Sequence, residues 1–391
     1  MNKLLLSLAS VAVAVTSALP AFAELPADGY YRVQNAYTKR YAYLLDNKGS
    51  VNVGSTTVDV GALKMYLDVT DLNTDPAAIF YIDHHTDNPN KYDISGQGTS
   101  VYGFIGQYVD IIESRKPYDG QDAFMIYGTD SGVVKYIGDI WLNMSDNEGM
   151  SSSEAKGDDR KWYLEPVSDS TDQYFGVKPS VEAGGKYYNP LYAGFPYSAS
   201  SEGVKFYAIT EIDPRGAAII SEIEGTVPAG TPVIVECANP LATDNRLNVG
   251  PHSYSGSVGG NLLKGVYFNN PSGSHYNRTR FNKETMRVLG LKDGRLAFIE
   301  GDYDFLPRNQ AFLQLTDPSQ YAVKDFVVMT AEQRDNELGA VASIPVDALV
   351  DVYSLDGRLV VSGVAKEDVS SLGKGIYVVR FGGATEKLVV H

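Results

Sequence analysis

Cysteine is nearly missing from this chain of 391 residues: Cys237 stands alone, so no disulfide can form within it. The folded state must therefore rest on its apolar cores, which a chain of this length can build. Histidine is scarce as well, at five residues, and tryptophan occurs twice. Runs of the types His-Glu-x-x-His, Gly-x-Ser-x-Gly, Gly-x-Gly-x-x-Gly and the phosphate-binding loop are all missing. That leaves no recognisable catalytic constellation, no cofactor motif and no metal set. Basic residues number 33 against 48 acidic ones, a net charge of -15 that repels nucleic acid and anionic lipid. Beyond residue 23 no second long apolar stretch follows, so no transmembrane helix is expected in the mature chain.

The first 23 residues have the three parts of an export signal. Lys3 supplies positive charge, Leu4 to Leu19 form an apolar run, and Ala21-Phe22-Ala23 fits a signal peptidase. Cleavage is expected between Ala23 and Glu24, with residues 1–23 as the signal peptide and an extracytoplasmic location, secreted or on an outer-membrane surface. No cysteine follows the run, which argues against a lipoprotein anchor.

The remainder reads as all-β. Short alternating runs bounded by Gly, Asp, Asn and Pro recur, and 27 tyrosines suit pleated surfaces. An aromatic-plus-aliphatic strand occurs at Phe80-Tyr81-Ile82, Phe124-Met125-Ile126 and Trp162-Tyr163-Leu164, at intervals of 44 and 38 residues. Strands opening these units are expected at Tyr31-Arg32-Val33, Tyr92-Asp93-Ile94 and Tyr136-Ile137. A threefold repeat of four-stranded units points to a barrel. The segments Asp28 to Asn35, Lys39 to Leu44 and Lys161 to Pro166 resemble the first repeat and the closing strand of a ricin-type β-trefoil. The resemblance implies a β-trefoil over 24–168. Sugar-binding members carry Gln-x-Trp in each closing strand, whereas this chain reads Ala78-Ile79-Phe80, Asp122-Ala123-Phe124 and Arg160-Lys161-Trp162.

A central all-β unit, barrel-like or sandwich-like, is expected over 169–320. Its strand candidates are Val204 to Ile209, Ala217 to Ile223 and Val233 to Cys237, and Cys237 reads as a small buried strand residue. Asp293-Gly294 has the chemistry of a hairpin turn. The phrases Gly225 to Ile234 and Leu306-Pro307-Arg308-Asn309-Gln310-Ala311-Phe312-Leu313 resemble a β-module recurring in surface proteins of Bacteroidetes. Residues 321–343 read as a charged linker or short helix.

The last unit, 344–391, pairs Val350 to Leu355 with Arg358 to Val361 across Asp356-Gly357 and closes with two more strands. Leu355-Asp356-Gly357-Arg358 and Leu372-Gly373-Lys374-Gly375-Ile376-Tyr377 resemble the C-terminal sorting module of the type IX secretion system. That resemblance implies a small immunoglobulin-like β-sandwich and contact with secretion machinery.

Few side chains invite a chemical role. His84 and His85 adjoin Asp83 and Asp87, but neighbours on a strand point to opposite faces, which works against chelation of one ion. Asp302-Tyr303-Asp304 is the kind of carboxylate pair any acidic chain supplies. The expectation is a non-catalytic, secreted or cell-surface protein that contacts a glycan or a host or other extracellular protein. A structural surface component without a discrete ligand, or a hydrolase of unfamiliar type, are the alternatives.

Overall fold

The computed structural model describes residues 25–390 apart from 47–49, 54–55, 60–61, 66–71, 87, 98–109, 115–122, 129–139, 145–149, 154–160, 268–277, 322, 338–347 and 382–383. The expected cleavage point at Ala23 and Glu24, the strand at Tyr136-Ile137, and Asp87 lie outside the described residues. Within them the chain is all-β, with short 3-10 turns and one α-helix, Ala331–Glu337.

In the N-terminal unit, an antiparallel path runs through Ala123–Gly128, Lys161–Pro166, Gly29–Asn35, Phe80–His85 and Asn88–Gly96. The strands that open and close this unit in the sequence, Gly29–Asn35 and Lys161–Pro166, are partners, with Tyr31 opposite Pro166 and Asn35 opposite Trp162. The three repeated aromatics Phe80, Phe124 and Trp162 are all buried, and Trp162 lies opposite Phe124.

Strand alternation explains how this unit meets the next. In Gly29–Asn35, Tyr31 and Val33 share one face while Tyr30 and Arg32 share the other, yet all four are buried. Tyr30 packs with Phe175, Phe195 and Tyr197 of the central unit in one buried cluster, its ring 5.6 Å from that of Phe195. Arg32, fully buried, donates to the carbonyls of Leu72 and Tyr174, both at 2.8 Å. Burial lowers its guanidinium to about 10. A strand covered on both faces ties the two units into one body.

The central unit holds a ten-stranded sheet that curls on itself and a three-stranded sheet of Phe175–Gly176, Arg246–Val249 and Tyr197–Ala199. The order of the larger sheet places Val181–Ala183 and Lys186–Leu191 at one end and Gln310–Gln314 and Leu263–Val266 at the other. The ends meet where Tyr192 N donates to the Asn309 carbonyl and Asn309 N donates to that of Val266. Inside the curl lie Ile209, Ile234, Phe298, Leu313 and Phe326. Asp293 and Gly294, at φ 52° and 77°, make the expected hairpin turn between Met286–Lys292 and Arg295–Ile299.

Within the stretch 321–343, read as a charged linker or short helix, Phe326–Met329 joins this sheet and Ala331–Glu337 forms a short helix. That strand lies parallel to Ala217–Ile223 and antiparallel to Arg295–Ile299. Phe326 is fully buried, and burial of that order holds the strand in place. The helix that follows is tied back by Arg334 to Glu211 and by Arg295 to Glu337.

The C-terminal unit is a four-stranded antiparallel sheet in the order Leu359–Ala365, Leu349–Ser354, Gly375–Phe381, Ala384–Val390. Gly357, at φ 82°, makes the turn of its first hairpin. The 3-10 turn Lys366–Ser371 drops Val369 onto Val350, Val352 and Val379 to form a separate core.

Candidate functional site

A pocket of about 360 Å³ opens where the N-terminal and central units meet. Its N-terminal wall is Thr74, Asp75 and Pro76, at the start of the short 3-10 turn Pro76–Ala78. Asp75 caps that turn, accepting from Ala77 N at 2.9 Å, and Pro76 presets its first residue. Across the pocket lies the turn that opens Gln310–Gln314, carrying Arg308, Asn309 and Gln310. Asn309 sits at φ 55°, a conformation Asn tolerates through its short polar side chain.

Asp75 and Arg308 form an ion pair across the unit boundary, with side-chain exposures of 11% and 27%. The guanidinium also lies over the ring of Tyr43, 4.9 Å from its centroid. Beside the pair, the amide of Asn309 donates to Gln97 Oε1 and to the Tyr192 carbonyl, each at 3.0 Å. Gln97 Oε1 also accepts from Gly194 N at 3.1 Å. Asn309 is thus a node joining both ends of the curled sheet to the N-terminal unit. Gln97 Nε2 and Asn309 Oδ1, both buried, find no hydrogen-bond partner among the described residues.

The rest of the wall is made by Gly176, Lys178 and Asn189 together with the apolar Val177, Pro190 and Leu191. Gly176 is needed there because a Cβ would lie 2.5 Å from the Ala242 carbonyl oxygen. Lys178 is exposed at the rim. The chemistry on offer is hydrogen bonding by an ion pair and amides around a small concave space, which suits reversible holding of a polar ligand.

A second polar group lies along the neighbouring strands Phe80–His85 and Asn88–Gly96. His84 Nδ1 is 2.6 Å from Asp28, while His85 Nδ1 is 2.8 Å from Asp93, so each histidine takes its own carboxylate. Asp83 lies directly opposite Asp93. Burial, then the charges of Asp93 and Asp28, push its carboxyl up to about 6. Among the described residues no group of three His, Cys, Asp or Glu side chains is placed to hold a metal ion.

Elsewhere, Asp302 pairs with Lys283 at 3.0 Å on the surface, and Asp304 is exposed. Cys237 is buried in its strand, and burial raises its thiol to about 12, which removes it as a nucleophile. His252 joins the two units. It stacks on Tyr81 at 3.7 Å between centroids and shares a hydrogen bond of 2.8 Å with the Tyr30 hydroxyl. Burial lowers its pKa.

Sequence reasoning also missed Asp75, Gln97 and the pairing of Arg308 with Asp75. Asp75-Pro76 carries a local turn signal, and Arg308-Asn309 lies in a phrase singled out for its resemblance. No local signal says that the two loops meet. Set against known protein families and curated proteins, the chain matches none.

Proposed function

We propose that this chain is a secreted or cell-surface, non-catalytic modular β-protein that holds an extracellular ligand, a glycan before a protein, between its first two units. In this reading 1–23 is a cleaved signal, 24–168 a β-trefoil, and 344–391 a small immunoglobulin-like sorting module that engages the secretion machinery. The observation that carries the ligand reading is the pocket lined by Asp75, Arg308, Asn309 and Asn189. Convergent carboxylate, guanidinium and amide groups in a small concavity are the means by which hydroxyl-rich ligands are oriented. The lost Gln-x-Trp triplets fit this placement, since they leave the trefoil's own repeats without their sugar motif. Closing-strand aromatics that are buried act as core plugs.

The test is an array of glycans and matrix proteins probed with the full chain and with Arg308→Ala. Arg308 joins the units from the pocket wall, so its removal should abolish binding of the captured ligand. Undiminished binding would move the site elsewhere, and failure to capture anything would leave the structural reading. For the C-terminal unit, deleting residues 340–391 in the native host should trap the protein in the periplasm. Unchanged surface or medium levels would end its role as an address.

A further inference from the structure

We infer that the pocket selects an uncharged, polyhydroxylated ligand, a neutral saccharide unit rather than a uronic, sialic or amino sugar; the inference rests on the ligand reading above. The ground is charge compensation. Asp75 and Arg308 face each other in direct contact and both are largely buried, so the pocket's two strongest charges already cancel. A carboxylate drawn to Arg308 would compete with Asp75 for the guanidinium, and a cation drawn to Asp75 would take from Arg308 the carboxylate it faces. Either exchange disrupts an opposite-charge contact in a poorly hydrated place, which is among the costlier changes a folded protein can suffer. A hydroxyl group avoids that conflict, because it donates to the carboxylate and accepts from the guanidinium without breaking the pair.

The polar part of the remaining lining points the same way, and Val177, Pro190 and Leu191 add no charge. Asn189, Asn309 and Gln310 are neutral amides. Lys178 is the other cation of the wall, and it stands at the solvent-exposed rim where screening weakens its pull on anions. At about 360 Å³ the space sits at the small end of ligand pockets, so it receives a short stretch or an end of a saccharide. Because Asp75 belongs to the first unit and Arg308 to the second, the occupant also bridges them.

The experiment is calorimetric titration of the full chain with three oligosaccharides of equal length: neutral, uronic and amino-substituted. The neutral series should bind at least about tenfold more tightly than either charged series, a difference of about 1.4 kcal/mol. In Asp75→Asn the preference should swing to the uronic series by tenfold or more. Asparagine keeps an oxygen to cap Pro76–Ala78 but removes the negative charge that faces Arg308. Arg308→Gln, the variant to use if Asp75→Asn misfolds, should swing it to the amino sugars. A wild-type preference for uronic or amino sugars, or a preference that neither folded variant shifts, would overturn the inference and leave the glycan reading standing. No binding in any of the three series would overturn the glycan reading and the inference together.

Discussion

The first two units and the last one solve the same problem in opposite ways. The N-terminal and central units share a core: Tyr30 and Ile79 come from one, Phe175, Phe195 and Val233 from the other. The C-terminal unit is built around Val350, Val352, Val369 and Val379, all from residues 348–388 with their neighbours. Its sheet leaves Leu349, Leu359 and Ile376 more than a third exposed. A small sheet with one covered face has little apolar area to contribute, whereas two larger units with a strand sandwiched between them gain a common interior. Shared burial also lets two loops distant in sequence form one pocket.

The sharpest way to break this comparison is to cut into the shared core. Phe195 is fully buried and contacts aromatic rings from both units, Tyr30 at 5.6 Å and Phe175 at 5.3 Å. Phe195→Ala should cost about 3–5 kcal/mol. Amide-exchange protection should fall together in Gly29–Asn35 and Val233–Cys237. If only the central strand loses protection, the units are merely adjacent.

A smaller effect is expected from Asp83. Its folded-state carboxyl, raised to about 6 against an ordinary 3.8, binds a proton more tightly than in the unfolded chain. Folding is thus penalised as Asp83 ionises, progressively from about pH 4 to about pH 6, and the penalty is full above that. Asp83→Asn should stabilise the protein at neutral pH by about 1 kcal/mol, allowing for solvent screening of a half-buried group. The gain should vanish near pH 4; denaturant melts at both pH values would show it, and an equal gain at both would remove the electrostatic cause.

The smallest effect belongs to the last unit. Deleting residues 340–391 should leave the melting of the fused body unchanged. A clear destabilisation would mean that the C-terminal core is not independent.

What could be read in the sequence follows the same division. The hairpins at Asp293-Gly294 and Asp356-Gly357 were legible because turn chemistry is local: both glycines adopt positive φ, at 77° and 82°. The strands Ala217–Ile223 and Val233–Cys237 were legible because short apolar runs bounded by turn residues are local as well. Phe326–Met329 was missed, since four residues carry little alternation and its parallel partner lies far back in the chain. The pocket was missed for the same reason in stronger form. Asp75 and Arg308 are 233 residues apart, Gln97 and Asn309 are 212 apart, and Tyr30 and His252 are 222 apart. Nothing in a turn or a periodicity says which distant loop will arrive opposite.

The central claim is that one pocket, made jointly by two fused units, carries the function. Hydrogen–deuterium exchange of the full chain, with and without the tightest-binding saccharide from the array, tests it most directly. Added protection is expected at residues 74–77, 189–191 and 308–310 together, because a bridging occupant holds both walls. Protection confined to one unit, or centred away from these segments, would contradict the account.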